Sequence, residues 1–215
     1  MVRAPMPVLR GSVTFARYRS ETGKRPQDTR RWLARGLDRG AFEPLDPKRG
    51  EDDRSAGFVA LEDPDATDFS SGVLEAGRAL FAWRVDTIQV KAAAVRAELD
   101  RWTAAFGNEH RRPPTRGEKA GAKDEIRHRL RQRQAPTTRV FDVSWSLDGG
   151  ELQIWAASRK VVDEVAAAIE AAFEVKLAPL SVGAQAVRAG IAESALAPTA
   201  SLLGLSREEV TRGEA

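Results

Sequence analysis

The chain of 215 residues has no cysteine. That excludes disulfides, thiolate metal sites and thiol nucleophiles, and it fits a reducing compartment. Histidine is nearly absent. His110 and His128 are the only two, and neither has a metal-ligating partner at a useful spacing, so both read as surface residues. No apolar run approaches the ~20 residues that a membrane span needs. The apolar stretch within residues 1–10 is too short for a secretory signal. There is no phosphate-binding glycine loop, no nucleophile elbow and no dinucleotide fingerprint. The acidic residues Glu62, Asp63, Asp65 and Asp68 lack the spacing of a calcium loop. Pro64-Asp65 followed by Glu75-Ala76-Gly77 resembles a nuclease pattern, but the lysine expected two positions after the glutamate is missing. A cytoplasmic protein without cofactor, metal site or catalytic constellation is therefore expected.

Hydrophobic residues make up 42% of the chain and charged residues 30%, the balance of a folded protein rather than a disordered one. The net charge is only +3, but it is unevenly placed. Residues 1–50 hold 12 Lys/Arg against 5 Asp/Glu, residues 51–110 hold 6 against 12, and residues 111–139 hold 10 against 3. Two basic blocks flanking an acidic one can build a single electropositive surface on a nearly neutral protein.

Periodicity assigns the elements. Residues 8–18 read as a strand with Val13 and Phe15 on one face. Asp28 is an N-cap for a helix to about Arg39, with Leu33 and Leu37 inward and Gly40 ending it. Residues 57–61 and 79–86 read as strands, with an acidic loop between them. The helix over 89–102 buries a stripe of Ile88, Ala92, Val95, Leu99 and Trp102, and residues 106–114 read as a break. Thr115-Arg116-Gly117-Glu118 has the capping-box pattern and opens a helix to about Arg133. Residues 139–147 alternate, with Phe141, Val143, Trp145 and Leu147 on one face. A turn at 148–150 leads to a returning strand over 152–157. Ser158 caps a helix to Phe173, and a last strand is expected over 177–182. This interspersed order predicts an α+β fold, with helices packed on largely antiparallel sheet. It forms one region over residues 1–182 that can divide into two subdomains near 103–114. An Ala-rich segment, 183–215, follows and ends in a polar tail.

The helix after Thr115 carries the chemistry. Lys119, Lys123, Arg127 and Arg131 recur every four residues and form one slightly winding stripe, flanked by Arg116, Arg129 and Arg133. Only Ala122, Ile126 and Leu130 are apolar, so a narrow edge is buried and a broad basic face is shown. The stripe is roughly 18 Å long, and duplex DNA presents a phosphate every ~1.7 Å of axis, so several charges can be neutralised together. Gln132 and Gln134, the side chains suited to reading bases, come only at the end of this helix. Binding to the DNA backbone without sequence discrimination is therefore expected. Trp32, Trp83, Trp102, Trp145 and Trp155 are mainly core candidates. Trp155, opposite the Leu152/Ile154/Ala156 face of its strand, is the best surface aromatic.

Residues 116–130 resemble a motif of the RdgC family of bacterial recombination-associated proteins. The match is Glu118-Lys119, then Lys123-Asp124-Glu125-Ile126, then His128-Arg129-Leu130. The hairpin over 141–157, Ala157-Ser158-Arg159-Lys160, Leu177-Ala178-Pro179-Leu180-Ser181 and Gly57-Phe58-Val59 are similar to further family elements, across roughly residues 8–182. The resemblance implies a non-sequence-specific protein for double-stranded DNA that forms a ring-shaped homodimer around the duplex. It also implies nucleoid association and a role in limiting recombinase access to DNA during homologous recombination. Two other readings stay open. One is a metal-dependent exonuclease using Asp63, Asp65 or Glu75. The other is an interaction domain for an acidic partner.

Overall fold

The computed structural model describes residues 14–21, 27–48 and 52–192. In chain order the elements are β1 (Ala16–Glu21), α1 (Thr29–Arg39), β2 (Arg54–Ala60), β3 (Leu74–Glu75), β4 (Arg78–Thr87), α2 (Ala92–His110), α3 (Arg116–Gln132), β5 (Thr137–Ser146), β6 (Glu151–Ile154), α4 (Arg159–Phe173), β7 (Lys176–Pro179) and α5 (Val182–Arg188). The strands form one sheet in the order β2-β4-β5-β6-β1-β7, with β3 paired to β4, and all these pairings are antiparallel. The fold is α+β, as expected.

Period-two alternation places the core. Phe81, Trp83 and Val85 of β4 face the same side as Phe141, Val143 and Trp145 of β5 and Leu152 and Ile154 of β6. Leu33 and Leu37 of α1 cover this face together with Val162, Val165, Ile169 and Phe173 of α4. The Asp28 carboxylate caps α1 by accepting from the Arg31 N–H at 3.0 Å, and Gly40 closes the helix. Trp145, fully buried, donates its indole N–H to Ser20 Oγ at 3.0 Å, and that hydroxyl donates to the Gly150 carbonyl at 3.2 Å. The opposite face of the sheet carries a smaller buried cluster, Phe42, Val59 and Ala82, with Leu61 and Val140 packed against it.

Several expectations change. The helix expected over 89–102 continues to His110. Trp102, Phe106 and His110, spaced i, i+4, meet in succession, the first pair tilted at 5.1 Å and the second stacked at 4.1 Å between ring centroids, and carry the helix through Gly107 and Asn108. It stops only where Arg111 turns left-handed, ahead of Pro113-Pro114. Residues 103–114 thus hold the end of α2 and the turn into α3. The first strand begins at Ala16, with Phe15 before it and 40% exposed, while Val13 lies outside the described residues. The strand expected over 177–182 is shorter, because the Ser181 hydroxyl accepts from the Ala184 N–H at 3.1 Å and starts α5. The Ser158 side chain makes no capping hydrogen bond. Residues 193–215, which include the expected polar tail, lie outside the described residues. Among those described, no helix is long and apolar enough to cross a membrane.

The segment after α1 is pinned against β2. Phe42 N–H donates to the Phe58 carbonyl at 3.0 Å, and Phe58 N–H donates to the Gly40 carbonyl at 2.8 Å. A Cβ on Gly57 would lie 2.4 Å from the Phe42 Cα, and this backbone cannot retreat without breaking those bonds. Gly107, inside α2, meets nothing within 4 Å. Opposite signs follow for one substitution. Gly57→Ala should destabilise by roughly 1–3 kcal/mol, and Gly107→Ala should stabilise by up to about 1 kcal/mol, read as shifts of the urea midpoint at constant slope.

Candidate nucleic-acid interface

The helices α2 and α3 are an insertion between adjacent strands. β4 ends where β5 begins, at the Thr87/Thr137 pair, and everything between forms a helical hairpin whose two members pack chiefly on each other. Val95, Ala122 and Ile126 are buried within it, and Leu99, Trp102, Phe106 and Leu130 are half-buried. The narrow apolar edge expected for α3 is present.

The capping box forms in full. Thr115 Oγ1 accepts from the Glu118 N–H at 3.3 Å, and the Glu118 carboxylate accepts from the Thr115 N–H at 2.7 Å. Arg112 adds two bonds to the same carboxylate, at 2.6 and 2.9 Å. These Arg112 bonds, then the Thr115 backbone N–H, lower the Glu118 pKa from the ordinary 4.5 to about 2. The charge of Glu118 is therefore matched by Arg112 and does not offset the stripe on α3.

The stripe does not stay on one face. A step of four residues on a helix of ~3.6 residues per turn advances about 40°, so Arg131 stands roughly 120° around from Lys119. That rotation turns Arg131 inward. Its side chain is only 6% exposed, and Nε donates to Asp53 Oδ1 at 2.8 Å. Its two terminal nitrogens donate to the carbonyls of Pro47, at 2.8 Å, and Asp52, at 2.5 Å. Arg131 is thus an anchor, not part of the exposed face, which corrects the expectation of a four-residue surface stripe. Arg127 reaches the same Asp53 at 3.3 Å but remains 64% exposed. Arg129 pairs with Glu98 at 3.3 Å. Arg116, Lys119, Lys123 and Arg133 are exposed and have no carboxylate partner among the described residues. The free positive face therefore comprises Arg116, Lys119 and Lys123, extended by Arg127, within roughly 80° of the helix surface. Asp124 and Glu125 point elsewhere on the wheel.

Sequence reading missed Asp53. It stands 78 positions from Arg131, and no local pattern links the two. It also missed the cationic contact of Arg112 with the Phe106 ring, at 5.0 Å, which joins the aromatic ladder of α2 to the start of α3. The drift of a four-residue repeat was a usable signal, because it shows that one end of such a stripe must turn away.

The carboxylates of the nuclease reading are placed differently. Arg84 binds Asp65, donates to the Pro64 carbonyl at 3.0 Å, and forms a two-pronged pair with the buried Asp86 at 2.9 and 2.8 Å. Asp65 thereby fastens its loop to the sheet. Among the described residues, no group of three or more acidic or histidine side chains has metal-binding geometry, so Asp63, Asp65 and Glu75 are not gathered into one centre. Trp155 is half-buried, in alternation with the buried Leu152, Ile154 and Ala156, and packs against Phe15 in a tilted arrangement at 5.0 Å between ring centroids. No protein-family model matches the chain, and neither does any characterised protein.

Two outcomes test this geometry. Arg131→Ala should destabilise by on the order of 3 kcal/mol, the lower end of the range for broken buried pairs because Asp53 keeps contact with water. Lys123→Ala should stay within about 0.5 kcal/mol of wild type in the same denaturant series. Because the folded pKa of Glu118 is depressed, its ionised form stabilises the fold above pH ~4.5, and that contribution is lost as pH falls through about 2. The melting-temperature difference between wild type and Glu118→Gln should therefore be constant above about pH 5 and shrink steadily toward pH 2.

Proposed function

We propose that the protein binds double-stranded DNA through its phosphate backbone, using the outward face of α3, without discriminating sequence. The observation that carries this reading is the trio Arg116, Lys119 and Lys123. These are exposed cations on one helix face with no carboxylate partner among the described residues. Like charges at i, i+4 destabilise an isolated helix by a few tenths of a kcal/mol per pair, and a polyanion removes that repulsion. Arg127, Arg129 and Arg133 flank the trio and add to its field. The motif over 116–130 supports the same reading through its resemblance to the RdgC family. That resemblance extends the proposal to a homodimer, associated with the nucleoid, that limits recombinase access to DNA. The half-buried Trp155 with its neighbour Phe15 offers an aromatic surface suited to such an interface.

Each phosphate contact displaces condensed counterions, so log K against log salt should fall by about 0.9 per contact. Lys119→Ala/Lys123→Ala should make that slope shallower by roughly 1.8 and weaken binding to unrelated duplexes equally. The comparison is Arg159→Ala/Lys160→Ala, in which Arg159 is already bound to Asp163 at 2.8 Å. If the α3 variant keeps the wild-type slope while the α4 variant loses it, the DNA lies on another surface. A preference on the order of 10³ for one duplex would refute sequence-independent binding. Cleavage of end-labelled duplex with magnesium that vanishes in Asp65→Ala would favour the nuclease reading. Binding only to acidic proteins would favour the third.

A further inference from the structure

The first basic block of the sequence is not accounted for by α3. Within it, Arg31, Arg35 and Arg39 repeat every four residues along α1. All three line a cavity of about 350 Å³ between α1 and the C-terminal end of α4, a size in the range of small-ligand clefts. Its apolar lining is Trp32, Gly36 and Phe173. A Cβ on Gly36 would come within 2.1 Å of the Phe173 ring, so this glycine leaves room for that buried ring against the helix. Trp32 is half-buried and packs on Phe173 at 4.9 Å and on Trp145 at 5.5 Å between ring centroids, so its ring is held in place.

Two carboxylates stand at the rim, and both are engaged. Asp28 caps α1 through the Arg31 N–H at 3.0 Å. Glu174 meets Arg39 at 3.3 Å, and the same guanidinium nitrogen donates to the Ala172 carbonyl at 2.9 Å, closing that end of α4. The side chains of Arg31 and Arg35 are exposed and have no partner among the described residues. The cavity thus joins a fixed aromatic wall to two uncompensated guanidinium groups, which are planar donors suited to phosphate oxygens.

We infer that this groove is a binding site for a nucleoside monophosphate group, its base against the half-buried Trp32, which the buried Phe173 backs, and its phosphate held by Arg31 and Arg35. The source of that group is either a free nucleotide or one residue of a single strand. An aromatic wall beside cationic side chains is how single strands are held without sequence preference. The site shares no residue with α3 and stands independently of the duplex reading.

Calorimetric titration of the full chain separates the outcomes. The probes are dAMP, deoxyadenosine and a short single-stranded oligodeoxythymidylate. Binding of dAMP or of the oligonucleotide, lost by at least tenfold in Arg31→Ala/Arg35→Ala and unchanged in Lys119→Ala/Lys123→Ala, is the expected result. Deoxyadenosine should bind at least tenfold more weakly than dAMP. Binding of dAMP alone identifies free nucleotide as the source, and binding of the oligonucleotide identifies the strand. Both arginines are exposed within a helix, so the alanine variant should fold, and an unchanged unfolding midpoint would establish that. Arg31→Lys/Arg35→Lys should recover part of the affinity. No binding of either phosphorylated probe at millimolar concentration overturns the inference, as does equal binding by wild type and the arginine variant.

Discussion

The Arg131 guanidinium, almost fully buried, sets the orientation of the helical hairpin. It holds Asp53 and two backbone carbonyls, of Pro47 and Asp52, in one arrangement. The Asp53 carbonyl also accepts the Ile88 N–H at 2.8 Å, at the entry to α2. One residue at the start of β2 thus receives both ends of the insertion. A guanidinium is well suited to this position, since its planar donors can meet a carboxylate and carbonyls together. Arg131 ties one side of α3 to Asp53, and the apolar edge of Ala122 and Ile126 is buried on another. Ala122 and Ile126 are buried in the hairpin, while Lys119 and Lys123 are exposed.

That arrangement divides the cations of α3 by role. Arg131 holds the helix, Arg127 and Arg129 are shared between neighbouring carboxylates and solvent, and Arg116, Lys119 and Lys123 are uncommitted. The acidic middle of the sequence is divided in the same way. Asp53 and Glu98 receive arginines of α3, while Asp65 and Asp86 receive Arg84. Part of the segregated charge in the sequence is therefore matched internally, between blocks at Asp53 and Glu98 and within the acidic block at Arg84. Among the described residues, the exposed cations of helices without a carboxylate partner include Arg116, Lys119 and Lys123 of α3 and Arg31 and Arg35 of α1, and there an external anion has something to add.

Local physics made much of this readable in advance. Asp28 and Gly40 bracket α1 because capping chemistry lies within a few residues of the ends it serves. The alternation through Phe141, Val143 and Trp145 became β5, and Thr115 with Glu118 formed the capping box, for the same reason. Non-local partners were not readable. Asp53 binds Arg131 across β2, β3, β4, α2 and most of α3, Arg84 ties a loop to a buried aspartate, and Gly57 matters only because Phe42 is folded beside it. The length of α2 was also missed. Gly107 and Asn108 argue for a break, and the stacking of Phe106 on His110 overrides them.

We propose that duplex DNA lies along the face of α3 that carries Arg116, Lys119 and Lys123. The most direct test is amide hydrogen exchange of the full chain with and without a duplex of about 20 base pairs at low salt. The account predicts added protection through α2 and α3, greatest over residues 116–127, with β7 and α5 unchanged. Protection confined to the sheet or to α1, with α3 exchanging as in the free protein, would contradict it.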